Sequence, residues 1–344
     1  MNKKLELGID TFGDVTNDAE GKPLSHAQVI RNVVAEGILA EEVGLDFFGV
    51  GEHHRVDFAV SSPEMILAAI ASRTKNIQLG SAVTILSSDD PIRVFQRFAT
   101  LDGISSGRAE VILGRGSFTE SFPLFGLSLS DYEQLFEEKF DLYLAVREQK
   151  PVTWEGSFTP TIHEQDVYPH VENAPLRTWI GVGGNPGSVI RAAKNGLPLM
   201  FAIIGGAPSR FGSLTQLYRS ALDKFSQDVT LPIGMHSPGF IAETDEAARE
   251  IFWPAYEKLM TRIGQERGWA PMTRIHYEQE IAGGALFVGS PETVARKIAR
   301  AATDLDLSRF DLKIGNGPLS HENIMSSIEL YGTEVAPRVR EMLG

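Results

Sequence analysis

The chain has 344 residues, 42% of them hydrophobic and 22% charged, enough for one large barrel or two ordinary domains. A net charge of -13, with lysines and arginines scattered among acids, argues against the basic face that nucleic-acid binding needs. The absence of cysteine removes disulfides, thiolate nucleophiles, iron–sulfur clusters and thiolate-bound zinc together.

In chain order, the opening residues 1–7 carry charges but no apolar core of a signal peptide. No later run approaches the roughly 18–20 apolar residues of a membrane span. Together with the missing cysteines this points to a soluble, cytoplasmic protein. Short apolar or β-branched runs predict strands at 5–10, 47–50, 77–83, 109–113, 179–182, 199–204, 233–242 and 310–314. Helical patterns lie between and after them at 26–43, 63–73, 91–104, 131–148, 187–195, 209–226, 245–265, 291–303 and 322–342. Ser62, Asp90, Asn185 and Ser290 each precede a proline, which places a capping side chain ahead of a proline at the first helical position. Eight strands, each followed by a helix, predict a single-domain α/β fold, a (β/α)8 TIM barrel. The alternative, a doubly wound open sheet, usually has fewer strands in this length. Two insertions break the rhythm. Residues 150–176 read as a short hairpin and loop, and residues 265–286 as a lid or dimer element.

The predicted second strand runs directly into Gly51-Glu52-His53-His54. That puts a glutamate and two histidines at a strand's carboxyl end, where barrel enzymes keep their chemistry. A single histidine there could be a core residue satisfied by a carbonyl; Glu-His-His between glycine and Arg55 favours a site. The other strand ends add Asp10, Thr11 and Phe12, then Thr84, Arg115, Ser117 and Phe118, then Gly183-Gly184-Asn185, His236 and Asn316. Such a polar, glycine-rich and partly aromatic rim suits a large planar ligand with a charged tail.

Gly114-Arg115-Gly116 offers a permanently charged fork that matches phosphate oxygens. Gly183-Gly184-Asn185-Pro186-Gly187-Ser188 reads as a strand end, a turn and a helix start, a backbone seat for an anion. It is not a dinucleotide fingerprint, because Pro186 stands where a third glycine is required. His26, His163, His170 and His276 read as solvated or interface histidines. Asp102 and Arg108 fall at the opposite, structural end of the fourth strand, and Asp89 and Asp90 read as helix caps rather than a metal pair.

These pieces, in this order, resemble the luciferase-like family of flavin-dependent monooxygenases over essentially the whole chain. The resemblance rests on Gly51-Glu52-His53-His54, Leu79-Gly80-Ser81-Ala82-Val83 and Asp90-Pro91-Ile92-Arg93. It rests also on the run from Leu101-Asp102 to Gly107-Arg108 and Gly114-Arg115-Gly116, with Thr153-Trp154-Glu155-Gly156 and Gly196-Leu197-Pro198. It implies reduced FMN at the carboxyl face of the barrel, often in a homodimer, and some relatives use the deazaflavin F420 instead. It implies that Arg115, with Gly116, Gly183, Gly184, Asn185 and Ser188, holds the flavin phosphate, and that Ala82, Val83 and Thr84 back the ring through a bulged or cis peptide. It implies a catalytic role for His53 beside the flavin, tuned by Glu52. Phe12, His54 and Phe118 are the expected substrate contacts. Two departures stand out: relatives carry Glu-Ser where this chain has Gly184-Asn185, and the reactive cysteine of some members is absent.

The expected function is therefore oxidation of a small organic substrate by reduced flavin and molecular oxygen. The absence of a nicotinamide fingerprint fits a separate flavin reductase as partner. Two rivals remain open at this stage: a metal-dependent barrel hydrolase built on His53, His54 and His236, and a non-catalytic flavin-binding subunit.

Overall fold

β1 (Glu6–Thr11), β2 (Phe47–Val50), β3 (Gln78–Ser81), β4 (Ala109–Gly114), β5 (Arg177–Val182), β6 (Leu199–Ala202), β7 (Ile233–Ile241) and β8 (Arg309–Lys313) pair in chain order. All pairs are parallel, and β8 returns to β1 with Phe310 opposite Leu7, closing the expected (β/α)8 barrel as one domain. The computed structural model describes residues 4–18, 20–116, 118–172 and 175–344. Among them, no helix is long and apolar enough to cross a membrane.

Large side chains fill the barrel's interior because glycines make room for them. Phe47, Ile112, Trp179 and Met200 form a small inner cluster. A Cβ on Gly80 would lie 2.9 Å from Glu110 and 3.0 Å from the Phe47 ring, and one on Gly234 would lie 2.5 Å from Met200. Below that cluster Arg309, wholly buried, forms a two-pronged ion pair with the buried Glu110. Its guanidinium also reaches Glu6 at 2.6 Å and lies over the rings of Phe47 and Trp179, at 4.3 and 4.6 Å. The amino-terminal end of the barrel is thus plugged. Arg108, as its position suggests, is structural: it donates to the carbonyls of Ala71, Thr74 and Ile77.

The predicted caps hold at three positions of four. Asp90 accepts from the Ile92 and Arg93 amides, Asn185 from Gly187 and Ser290 from Thr293. Ser62 makes no such bond, so helix Pro63–Ala71 starts on the proline alone. Residues 152–154 and 162–165 form the expected antiparallel hairpin. The segment 265–286 is more ordered than its composition suggested. Helix Asp245–Arg267 runs through Pro254 to Gly268, whose φ of 70° ends it, and a second helix, Arg274–Gly283, starts on the Thr273 cap. The short strand Phe287–Gly289 then pairs in parallel alongside the end of β7, with Phe287 opposite Gly239. The single closing helix expected at 322–342 is instead His321–Leu330 and Ala336–Leu343 joined by a π-turn at Tyr331–Val335.

Candidate active site

A cavity of about 1150 Å³ opens over the carboxyl ends of the strands. The turn after β2 brings Glu52 and His53 to it, the turn after β3 brings Ala82 and Val83, and the segment after β4 brings Arg115, Gly116 and Phe118. The start of helix Pro186–Lys194 brings Asn185 and Ser188, beside Gly183. The Ala82–Val83 peptide is cis, within the stretch expected to hold such a bond. Ser117 lies outside the described residues.

His53 is buried within an aromatic box, its ring centroid 4.8 Å from Phe12, 4.6 Å from Phe58 and 4.8 Å from Phe118. Its Nδ1 faces Glu120 at 3.6 Å, too far for a hydrogen bond, and has no other partner. The carboxyl of Glu52 accepts from the Ile85 amide at 3.1 Å. Burial, reinforced by the like charge of Asp89, pushes it up to about 8, so it is chiefly a neutral acid at pH 7.

At the opposite edge of the cavity the Arg115 guanidinium pairs with Glu133 and lies over the Tyr132 ring at 5.7 Å. The Tyr132 hydroxyl donates to the carbonyls of Arg115 and Gly116, fixing that turn. Arg191 sits close behind: burial, with the like charge of Arg115, lowers its guanidinium below the ordinary value. Arg115 thus faces a helix start across the cavity edge, whereas Arg191, in that helix's last turn, is paired with Glu137 and does not line the cavity. The Asn185 cap takes up the Gly187 amide at 2.7 Å, which leaves the Asn185 amide and the Ser188 hydroxyl as side-chain donors there. A Cβ on Gly183 would meet nothing within 4 Å, so this turn leaves space where a bulky group would stand.

Three expected site residues stand apart from the cavity. His54 points away from it: its ring packs edge-on against Phe125 at 5.1 Å, and burial lowers its pKa. Successive residues after a strand project to different sides, and here only His53 of the pair turns inward. Thr84 is buried behind the lining, donating to Ser81 Oγ at 2.9 Å. Gly184, with φ of 111°, shapes the turn between Gly183 and Asn185 without lining the cavity.

Other lining residues have no place in the flavin site that the resemblance implies. Asp10 and His236 face each other across the barrel, Oδ2 to Nδ1 at 2.5 Å. Lys313 binds Asp14 at 3.2 Å and lies 5.0 Å over the Phe12 ring. The outer wall is one face of helix Asp245–Arg267, with Tyr256, Leu259, Met260 and Ile263, followed by Trp269–Thr273 and His276. The spacing 256, 259, 260, 263 was a readable helical stripe; the Asp10–His236 meeting depends on barrel closure and has no local signal. Ion pairs fasten this wall to the rim: Arg55 to Glu266, and Arg262 to Asp57 at 2.6 Å. Among the described residues, no group of three or more histidine, aspartate or glutamate side chains has the geometry to hold a metal ion.

A closed (β/α)8 barrel thus carries on its carboxyl face a buried histidine, a largely apolar cavity and an arginine beside a helix start, at the end of the fold where barrel enzymes keep their sites. Residues 10–307 match the model of the luciferase-like monooxygenases, and the chain belongs to that family. It is 34% identical to limonene 1,2-monooxygenase of Rhodococcus erythropolis over 321 residues, covering 88% of this chain and 80% of that one. The same fold recurs in monooxygenase RslO1 from Streptomyces bottropensis, with TM-score 0.83, 23% identity and coverage of 97% and 99% of the two chains. It recurs also in the oxygenating constituent of 3,6-diketocamphane monooxygenase of Pseudomonas putida in complex with FMN, with TM-score 0.75, 18% identity and coverage of 97% and 98%. An F420-dependent secondary alcohol dehydrogenase in complex with an F420–acetone adduct is similar as well, with TM-score 0.74, 18% identity and coverage of 98% and 99%. Family membership makes the chain an oxidoreductase of the flavin- or F420-dependent monooxygenase family.

Proposed function

We propose that the protein is an FMN-dependent monooxygenase that uses reduced flavin and molecular oxygen on a small, mostly apolar organic substrate. The observation that carries this reading is the joining, in one cavity, of the anion seat at Arg115, Asn185 and Ser188 with His53 and the Ala82–Val83 wall. The residues fit the group: Gly183 leaves open space beside the seat, and His53 Nδ1 is a buried polar atom without a partner.

Bound reduced flavin would supply the electrons that activate oxygen; the protein supplies position, dryness and protons. Arg115 would bind the phosphate by exchanging the exposed carboxylate of Glu133 for a dianion. Ala82 and Val83 would set the ring's depth. His53, held by three aromatic rings, would move a proton at Nδ1, and neutral Glu52 would hold a second proton beside it. Phe12, Phe118 and the wall at Tyr256–Ile263 would exclude water and receive the substrate. A separate reductase partner, a homodimeric state and a cytoplasmic location complete the proposal.

The test is anaerobic titration with reduced FMN and, in parallel, reduced F420, followed by admission of oxygen with a panel of apolar ketones, alkenes, enols and phenols. Tight FMN binding with oxygen incorporated into product upholds the proposal. Binding of F420 alone would replace it with hydride transfer, and flavin binding without turnover would leave a carrier subunit.

A further inference from the structure

His236 and Asp10 sit on the barrel's inner floor, and nothing in the flavin seat engages them. Both are buried, and their side chains meet at 2.5 Å through Nδ1 and Oδ2. A carboxylate only accepts, so Nδ1 carries the hydrogen and the ring's lone pair is on Nε2. His236 lines the cavity, 6.2 Å from Phe12 between ring centroids, and among the described residues its hydrogen bond is the one through Nδ1. The dyad is therefore a base whose accepting atom is open to the chamber and whose positive form is met by a fixed carboxylate. Asp311 lies directly beside it in the β7–β8 register, and burial pushes its carboxyl well above the usual carboxylate range. Phe118, Met260, Met272 and Trp269 give the chamber apolar and aromatic walls, and Asp14, Arg267, Glu280 and Lys313 line it as well. A hydrocarbon would leave Nε2 dry and unpaired, which costs about 1–3 kcal/mol; a substrate with an O–H satisfies it.

We infer that His236, oriented by Asp10, takes the proton from an acidic O–H of the substrate, which is a phenol or enol on an apolar frame. The O–H bond breaks, an Nε2–H bond forms, the electron pair stays on oxygen, and Asp10 balances the imidazolium. The resulting oxyanion enriches the adjoining carbons in electron density, which suits them to accept an oxygen atom. This deepens the monooxygenase reading and rests on its use of this cavity as the substrate chamber.

The test uses 4-nitrophenol, whose neutral and ionised forms absorb differently, titrated into the whole protein without flavin or oxygen. Wild type should bind it saturably and raise its ionised-to-neutral ratio about tenfold or more over free solution, the size of effect a paired charge exerts on its neighbour. His236→Gln keeps a donor for Asp10 but no base, and should bind the neutral form with no such rise. Asp10→Asn should likewise lose the rise while the probe still binds. No saturable binding to wild type, or a rise that survives in both variants, overturns the inference. Because no flavin is present, these outcomes are independent of whether reduced FMN binds at Arg115.

Discussion

Replacing Arg115 by alanine isolates the anion seat from the rest of the cavity. In the wild-type structure the guanidinium is only lightly committed, paired with a Glu133 carboxylate that is 63% exposed. A phosphate that displaces this carboxylate gains charge-assisted hydrogen bonds worth about 1.5–3 kcal/mol. Losing them should weaken reduced FMN roughly 10- to 150-fold. Riboflavin has the same ring and no phosphate, so its affinity should be nearly the same in both proteins. The assay is anaerobic fluorescence titration of wild type and Arg115→Ala with each ligand, at two salt concentrations. An equal loss for FMN and riboflavin, or no loss for FMN, would refute the assignment of the phosphate to this edge.

Further outcomes are expected elsewhere. His53→Ala should slow the reaction of bound reduced flavin with oxygen at least about tenfold, within the range of a lost general acid–base group, with flavin affinity close to wild type. Stopped-flow oxidation measures this, and an unchanged rate removes His53 from proton transfer. Arg309→Met leaves the buried Glu110 carboxylate only Arg177, at 3.4 Å, and the Trp179 indole N–H, and should cost up to about 3–5 kcal/mol of stability, read as a lower urea midpoint; a shift below about 1 kcal/mol would mean the plug is not electrostatic. The raised pKa of Glu52, about 8 against 4.5, has a definite sign. Its favourable proton is fully bound below the unfolded value and is lost as pH rises through the folded one, so stability should fall between about pH 5 and about pH 8. Glu52→Gln should flatten that fall in urea titrations, and parallel slopes in both proteins would contradict it.

The barrel and its carboxyl-face site could be read from local patterns because each strand announces itself in a few apolar residues and each helix in a cap or a proline. That Glu52, His53 and Arg115 line the cavity followed the same way, since a strand end fixes where the next residues go. What escaped had no local signature. His54 looks equivalent to His53 in sequence, yet only the chain's exit angle decides which ring faces inward. Asp10 and His236 are 226 positions apart and become partners only when the sheet closes. The helix Arg274–Gly283 was hidden by its polar, aromatic composition; its Thr273 cap was the available clue.

The plugged lower half of the barrel has a consequence for how this scaffold can change. With Phe47, Trp179 and Arg309 filling the space between the strands, the chamber has no room to grow downward. Its size and shape are instead governed from above, by Tyr256–Ile263 and the adjoining Trp269–Thr273, which form one short stretch of the chain. Variation confined to that stretch would exchange one appetite for another while the strand-end residues underneath stayed untouched.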